Sequence, residues 1–555
     1  MAFGSVLNIA SDTPAARKER GAFFTPPELA TFLADWAIIS RNDTVLEPAC
    51  GEAEFLVASF RRLVSLGASK EDASKRIDGC ELHHESARAA LSRCSKVSFT
   101  PNITVGDFFN QRAKKKYDVV IGNPPYVRFQ VIDGKQKESI KAVTSNAGFA
   151  VSALASAWAP FVMHATSFLK EGGRIAFVLP AELLSVNYAA PIRTFLLSEF
   201  ADISIVTFDE QVFPEVQEEV VLLLASKFHQ GSSRQIKWVQ SSDLTQIGEG
   251  TNTSYCPGLN GERWTAGFIS SDVADTLEGL EGDAFCRVDD WGSLALGAVT
   301  GCNDYFALSK AEVLDAGLTD KEIRKVLPPG SKHLHRLVLS EADFADLALK
   351  GQKTFLFYPD ECPTPAAQRY INAGISAGVN HRYKCKNRKP WWKVPLAGIP
   401  DVFITYMNDF APHMCTNDAG LYHLNSVHGL TFHEEHRDLG RELFSFACVN
   451  SVTLLSSEIE GRAYGGGMLK VEPREAARLQ VPSPALVHSH RDDLLELLRE
   501  APANLGSDAL LSLSAQVDSV LFGSGGICDA EQLDSIRDTK TRLYARRRNR
   551  GRKRA

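Results

Sequence analysis

Asn123-Pro124-Pro125-Tyr126 brings together residue types whose spacing could methylate an amino group. It follows Tyr117-Asp118-Val119-Val120-Ile121-Gly122, a short apolar, β-branched run that reads as a central strand of a parallel sheet. Ligands of open α/β sheets sit in the crevice outside the carboxyl ends of the strands, so the tetrapeptide would face a bound molecule. Pro124 and Pro125 lack N–H groups and have restricted φ, which stiffens the turn and leaves their carbonyls free to accept. The Asn123 side chain adds a second carbonyl acceptor and Tyr126 a flat ring. Two fixed acceptors facing an exocyclic NH2 would draw its hydrogens out of conjugation and leave a nucleophilic lone pair on nitrogen. The competing reading is an ordinary Asn-Pro turn, a common punctuation of chains.

The elements that must position this turn alternate strand and helix over residues 1–230, the pattern of a doubly wound sheet. Thr44–Glu47, Ile77–Glu81, Ile103–Val105 and the run before Asn123 read as four strands, with helices over Phe55–Leu66 and Glu85–Cys94. A helix from Ser156 to Leu169 is expected to stop at Gly172-Gly173 before a strand at Ile175–Leu179. Ile203–Phe208 and Val220–Leu224 then form a hairpin that closes the sheet.

Each strand end carries a residue suited to a ligand. Glu47-Pro48-Ala49-Cys50-Gly51-Glu52-Ala53 lies where the first turn must approach a nucleotide-like molecule, yet it has few glycines. As a phosphate cradle it is poor, which favours a ligand without phosphate. Glu81 ends the second strand, where a carboxylate accepts from ribose hydroxyls; a solvated carboxylate at a helix N-terminus is the plain alternative. Asp107-Phe108 offers an acceptor and a ring to an adenine.

With 555 residues the chain needs two or three domains. Hydrophobic residues at 44% and charged residues at 23% are ordinary for a folded protein and argue against wholesale disorder. A net charge of -6 argues against a uniformly basic nucleic-acid binder but leaves room for local basic surfaces. Eleven cysteines without a Cys-x-x-Cys pair disfavour a zinc site or a disulfide framework, and no metal is expected. They fit a reducing cytoplasm, and neither a signal peptide nor a membrane span is expected. Cys50 and Cys80 read as packing residues, because methylation of an amine needs no covalent cysteine adduct.

The ordered set of motifs resembles the gamma-class DNA adenine-N6 methyltransferases of type II restriction–modification systems, TaqI-type enzymes among them. Gly21-Ala22-Phe23-Phe24-Thr25-Pro26-Pro27-Glu28 looks like the cofactor motif that precedes the first strand in that class. Leu46-Glu47-Pro48-Ala49-Cys50, Glu81, Asp107-Phe108 and Asn123-Pro124-Pro125-Tyr126 follow in family order. The resemblance implies a mixed seven-stranded class I fold and S-adenosyl-L-methionine as donor. Thr25, Glu47, Ala49, Cys50, Glu81, Asp107, Phe108 and Phe161 would hold that donor. It further implies that Asn123 and the Pro124 carbonyl accept from the adenine N6 amino group, while Tyr126 and Phe213 stack on the base. For Phe213 a plain core position is the competing reading.

Residues 238–484 read as an irregular α+β target-recognition domain, and 485–555 as a helical segment with a basic tail. His381 to Lys393 interleaves Lys384, Lys386, Arg388, Lys389 and Lys393 with Trp391 and Trp392, a mixture suited to duplex phosphates. A solvated loop over a buried Trp pair is the alternative. Arg462-Ala463-Tyr464-Gly465-Gly466-Gly467-Met468-Leu469-Lys470 would let backbone approach a partner closely, and Arg546-Arg547-Arg548 and the basic residues after them suit a disordered arm on phosphate. The expected protein is a self-sufficient monomer that methylates duplex DNA, with any cognate restriction endonuclease acting separately. Rival readings are a methyltransferase for protein glutamine or RNA adenine, a nuclease fusion, and a non-catalytic DNA-binding module. The position of Thr25-Pro26-Pro27 ahead of the first strand and the length after residue 230 favour DNA.

Overall fold

The computed structural model describes residues 25–127, 129, 132, 134–146, 156–208, 219–241, 247, 251–257, 263–523 and 527–551. The chain divides into two compact units, the first running to Ser271 and the second from Asp272 to Arg552.

The first unit is built on one mixed sheet. Its strands are β1 (Val45–Glu47), β2 (Ile77–Glu81), β3 (Asn102–Val105), β4 (Tyr117–Gly122), β5 (Leu169–Pro180), β6 (Phe200–Phe208), β7 (Val220–Phe228), β8 (Ile236–Ser241) and β9 (Thr251–Tyr255). Their spatial order is β3-β2-β1-β4-β5-β7-β6-β8-β9. The first five are parallel, and β7 inserts antiparallel between β5 and β6. A central parallel strand is covered on both faces, so its sequence is continuously apolar rather than alternating. Val119, Val120 and Ile121 of β4 are accordingly fully buried, each contributing about 1.5–3 kcal/mol of apolar transfer.

Helices α1 (Pro27–Ala37), α2 (Glu54–Ser65), α3 (Lys70–Lys75), α4 (His84–Ser95), α5 (Gly134–Asn146), α6 (Trp158–Thr166) and α7 (Ala190–Glu199) accompany the sheet. Pro27 starts α1, where its missing N–H costs nothing, and Leu29, Ala30, Leu33, Ala34 and Ala37 give it one buried stripe.

The seven strands expected from sequence are present in one mixed sheet, with β8 and β9 added beyond them. Because β8 pairs parallel to β6 and β9 antiparallel to β8, the first unit continues past the boundary expected near residue 230. The helix expected over Ser156–Leu169 ends at Thr166, and Gly172 and Gly173 lie inside β5, where the β4–β5 register shifts, rather than capping a helix.

The second unit holds several small sheets. The largest orders Gly292–Leu296, Val427–Phe432, Val402–Thr405, Met414–Asn417 and Val338–Leu339. Another orders Met407–Asn408, Met468–Lys470 and Arg462–Tyr464. It closes on the helices Arg491–Arg499, Ser507–Gly523 and Ala530–Gly551. The basic tail differs from its expectation, since Arg546, Arg547 and Arg548 belong to the last helix, with Arg546 and Arg547 buried. No helix among the described residues is long and apolar enough to cross a membrane.

Candidate active site

The parallel strands β1, β2, β3 and β4 all end on one edge of the sheet, so the turns after them share a rim. Glu47 closes β1 and Glu81 closes β2, and both are buried. Glu81 is fixed at each oxygen: the Gly51 N–H donates to Oε2 at 2.9 Å and the His83 N–H to Oε1 at 2.9 Å. It therefore ties the turn after β1 to the turn after β2, and each oxygen keeps a further lone pair. The turn itself is tight, with Gly51 at φ +46° and Ala53 in the left-handed region at φ +70°, immediately before α2. The Cys50 N–H donates to the Cys80 carbonyl at 2.9 Å, and burial drives the Cys50 thiol far above its ordinary range. Both cysteines are buried, and burial pushes the Cys80 thiol up to about 12 as well.

Glu47 is the least solvated of the acids on this rim. Burial pushes its carboxyl well above the usual carboxylate range, with a Leu56 backbone hydrogen bond pulling the other way and the charges of Glu81 and Glu54 pushing up. Its Oε2 is buried with no partner among the described residues. Gly122 of β4 brings the next turn alongside, since a Cβ there would stand 3.7 Å from Glu47 Cγ and 3.8 Å from Pro48 Cδ.

Asn123 follows directly. Its Nδ2 donates to Thr25 Oγ1 at 3.4 Å, and its Oδ1 is buried with no partner among the described residues. A buried, unpaired amide oxygen costs about 1–3 kcal/mol. Tyr126 is half-buried and anchored by its hydroxyl, which donates to the Val178 carbonyl of β5 at 3.0 Å. That bond fixes the edge of the ring against the sheet and leaves its orientation little freedom.

Asp107 and Phe108 occupy the rim after β3. The Asp107 carboxylate accepts from the Phe109 N–H at 3.0 Å and caps the short helical turn Phe108–Asn110. The Phe108 and Phe161 rings lie 5.0 Å apart, so these two predicted cofactor residues form one aromatic wall. Ala49 is half-buried in the turn after β1. Phe213 lies outside the described residues. His164, which sequence reasoning passed over, is a support for the wall: its Nε2 is 3.0 Å from the Phe108 carbonyl and its ring packs edge-on to Phe108 at 4.8 Å. Burial lowers its pKa, so it stands neutral. Its place three residues after Phe161, on the same helix face, was the available signal.

The predicted DNA-contact run divides in two. Lys384, Lys386 and Lys389 are exposed, and Lys384 and Lys386 flank the exposed Tyr383 ring at 5.8 and 5.7 Å. Lys393 lies over Tyr358 at 4.5 Å. Arg388 instead turns inward, donating to the Thr300 carbonyl at 2.8 Å and to the Val299 carbonyl. Trp391 and Trp392 pack half-buried against a core around Phe306 and Phe357, with Trp391 5.6 Å from Tyr305. The Arg388 guanidinium is thus spent on backbone carbonyls of the second unit, whereas the Trp391 and Trp392 indole N–H groups are buried with no partner among the described residues. The Gly465–Gly467 turn likewise approaches the chain's own last helix, since a Cβ on Gly467 would stand 3.0 Å from the Arg547 carbonyl oxygen.

A β3-β2-β1-β4-β5-β7-β6 core with one antiparallel strand, acidic residues at the ends of β1 and β2, and a phosphate-poor first turn define the class I fold of S-adenosylmethionine-dependent methyltransferases. Residues 7–254 match the N-6 DNA Methylase family and residues 261–521 match the family described as type II methyltransferase M.Eco57I, C-terminal domain. The chain is 23% identical over 505 residues to the type II methyltransferase M.AccI of Acinetobacter calcoaceticus, covering 87% of this chain and 89% of that protein. Its identity to M.XamI of Xanthomonas campestris pv. amaranthicola is 24% over 498 residues, with the same coverage of 87% and 89%. In fold it resembles the type IIL restriction-modification enzyme MmeI solved in complex with DNA, with a TM-score of 0.58 and 14% identity over 95% of this chain and 75% of that one. The chain belongs to the N6-adenine DNA methyltransferases of type II restriction–modification systems. Fold and family imply S-adenosylmethionine as the methyl donor.

Proposed function

We propose that Asn123 and the Pro124 carbonyl hold the N6 amino group of an adenine extruded from duplex DNA, in the manner of the gamma-class enzymes. The observation that carries this reading is the buried, unpartnered Asn123 Oδ1 at the carboxyl end of β4, next to Thr25 and followed by two prolines.

The residues on the rim fit the donor. Glu81 has free lone pairs at a strand end suited to ribose hydroxyls. Phe108 and Phe161 pack together as buried rings beneath the rim, with Asp107 beside them as an acceptor. Glu47 Oε2 is an acceptor that a cationic group would satisfy, while Thr25, Ala49 and Cys50 line the same turns. Few glycines and no basic side chain follow β1, so a phosphate-bearing dinucleotide fits poorly. S-adenosylmethionine supplies, when bound, an electrophilic methyl group on a positively charged sulfur.

A stacked base cannot reach a concave site, so the target must leave the helix, at a cost of roughly a few kcal/mol. Stacking on Tyr126, with Phe213 as the second ring, returns about 1–3 kcal/mol per base. The hydroxyl anchor of Tyr126 on Val178 keeps that ring preset. Asn123 Oδ1 and the Pro124 carbonyl then accept the two N6 hydrogens, which turns the nitrogen lone pair towards the donor. Catalysis on this scheme is chiefly positioning, strengthened by dipoles that need no reorganisation.

The second unit, with the exposed lysines of the Tyr383 loop, supplies contacts to duplex phosphates. The chain acts as a monomer in the cytoplasm, beside a cognate endonuclease carried separately. The test is transfer of tritiated methyl from labelled donor to duplex DNA of mixed sequence, followed by nucleoside separation. Label on N6-methyladenine is expected; label on protein, on cytosine or nowhere overturns the reading.

A further inference from the structure

One basic feature is left unexplained by phosphate binding. The last helix, Ala530–Gly551, carries Lys540, Tyr544, Arg547 and Arg548, spaced so that all four fall on one face. That face is turned into the second unit. Lys540 Nζ lies 2.9 Å from the centre of the Phe410 ring, and Tyr544 packs edge-on to the same ring at 5.1 Å. Arg548 pairs with Asp409.

Arg547 is the centre of the arrangement. Its side chain is 4% exposed and pairs with Glu458, 3% exposed, at 2.8 Å. Its remaining N–H groups donate to the Asp409 carbonyl at 3.1 Å, the Phe410 carbonyl at 3.4 Å and the Gly467 carbonyl. Asp409 and Phe410 follow the strand Met407–Asn408, and Gly467 closes the turn of the hairpin Arg462–Lys470. One guanidinium thus ties together the loop ends of the small sheet. The approach is tight on the other side too, because Gly467 sits at φ +76° and a Cβ there would stand 3.0 Å from the Arg547 carbonyl oxygen and 3.1 Å from Arg548 Cα.

A buried ion pair is a poor source of stability, since desolvating both charges offsets most of their attraction; its best-attested use is to fix register. What is fixed here is a hairpin whose outer side is open. Tyr464 is 60% exposed, Ala463 is exposed, and Gly466 at φ +77° has nothing within 4 Å of a would-be Cβ. Lys470 lies 5.7 Å from the Tyr464 ring centre. An exposed aromatic on a rigid, glycine-tipped hairpin is suited to contact the edge or face of a base.

We infer that the hairpin Arg462–Lys470 reads the target duplex through Tyr464, and that Arg547 is a positioning residue that holds it there. The inference rests on the reading that this chain methylates duplex DNA. The last helix is then a strut for specificity rather than an arm on the phosphates.

The test compares the full-length chain with Tyr464→Ala, Gly467→Ala and Arg547→Lys. Single-molecule sequencing of methylated genomic DNA defines the motif of each protein, and KM for duplex DNA, kcat, donor affinity and thermal midpoint are measured alongside. Tyr464→Ala, at an exposed position, is expected to raise KM for DNA roughly tenfold with an unchanged thermal midpoint. Arg547→Lys keeps the charge but loses the fork, and it and Gly467→Ala are expected to relax at least one position of the motif while donor affinity stays as in the parent. A purely structural role would lower the midpoint of Arg547→Lys and leave motif and KM alone, which overturns the assignment of Arg547. Unchanged KM and motif for Tyr464→Ala overturn the assignment of the hairpin. If the parent chain puts no methyl on duplex adenine, the functional reading fails first; if the parent methylates and all three variants match it, only this inference fails.

Discussion

Asn123 holds a polar oxygen in a place that stability alone would not favour. An orphaned amide oxygen costs free energy in the folded state, and Asn123 Oδ1 has no compensating donor among the described residues. Replacing it by alanine is therefore expected to leave folding intact or slightly improved while removing one of the two acceptors for the amino group. By comparison with loss of a single preorganised hydrogen-bonding group, kcat should fall about 10²–10³-fold. Equilibrium binding of labelled donor separates the effects, and a variant that keeps full turnover would show that the oxygen does not touch the amine. Glu81 behaves differently, because it anchors the Gly51 and His83 N–H groups as well as facing the rim. Glu81→Ala should weaken donor binding by roughly ten- to a hundredfold with a smaller change in kcat, measured at saturating donor. A larger loss in kcat than in donor affinity would place Glu81 in the reaction instead.

At the scale of elements, β1, β2, β4 and β5 were legible because buried parallel strands announce themselves as short apolar runs, and β6 and β7 because two apolar runs with a short connection read as a hairpin, whereas β3 is largely exposed. Strands β8 and β9 were hidden: Ile236–Ser241 mixes Lys237 and Gln240 with its apolar positions, and its pairing with β6 is a long-range fact that no local pattern carries. The basic loop shows the same limit. Sequence lists Lys384, Lys386, Arg388 and the Trp pair as one chemical mixture, but folding sorts them by where backbone carbonyls need donors, and Arg388 is taken by Val299 and Thr300. Its substitution should thus act on stability. Arg388→Ala is expected to cost about 1–3 kcal/mol by leaving part-buried carbonyls unpaired, seen as a lower denaturation midpoint in urea. Lys384→Ala and Lys386→Ala should leave that midpoint alone and each reduce the slope of log K against log salt by about 0.9. An unchanged slope removes the Tyr383 loop from the DNA interface.

Across the whole molecule, the second unit carries strongly desolvated histidines, His413 and His423 among them, while the first carries one desolvated histidine, His164, together with a carboxyl shifted the other way. In the second unit His413 is 8% exposed and His423 3% exposed, and desolvation lowers their pKa values to about 3 and about 4. Unfolded histidine titrates near 6.5. Between that value and the folded ones the unfolded chain binds protons that the folded unit refuses, so this contribution to stability is complete above about pH 6.5 and is lost as pH falls towards 4. In the first unit the Glu47 carboxyl is raised instead. The unfolded chain releases that proton above about pH 4.3 while the folded unit keeps it, so the Glu47 contribution is present at low pH and is lost as pH rises. Lowering the pH from 7.5 to 5 should therefore loosen the second unit, where the histidine shifts are largest, before the first. Hydrogen exchange followed by mass spectrometry resolves the two: amides of Val402–Thr405 and Val427–Phe432 should lose protection on acidification, while those of β1 and β4 should not. His413→Phe should flatten the acid response of the second unit, and Glu47→Gln, measured without donor, should flatten the alkaline response of the first. If protection in the second unit is as high at pH 5 as at pH 7.5, the buried histidines find acceptors or water on protonation and do not set the acid limit of the fold.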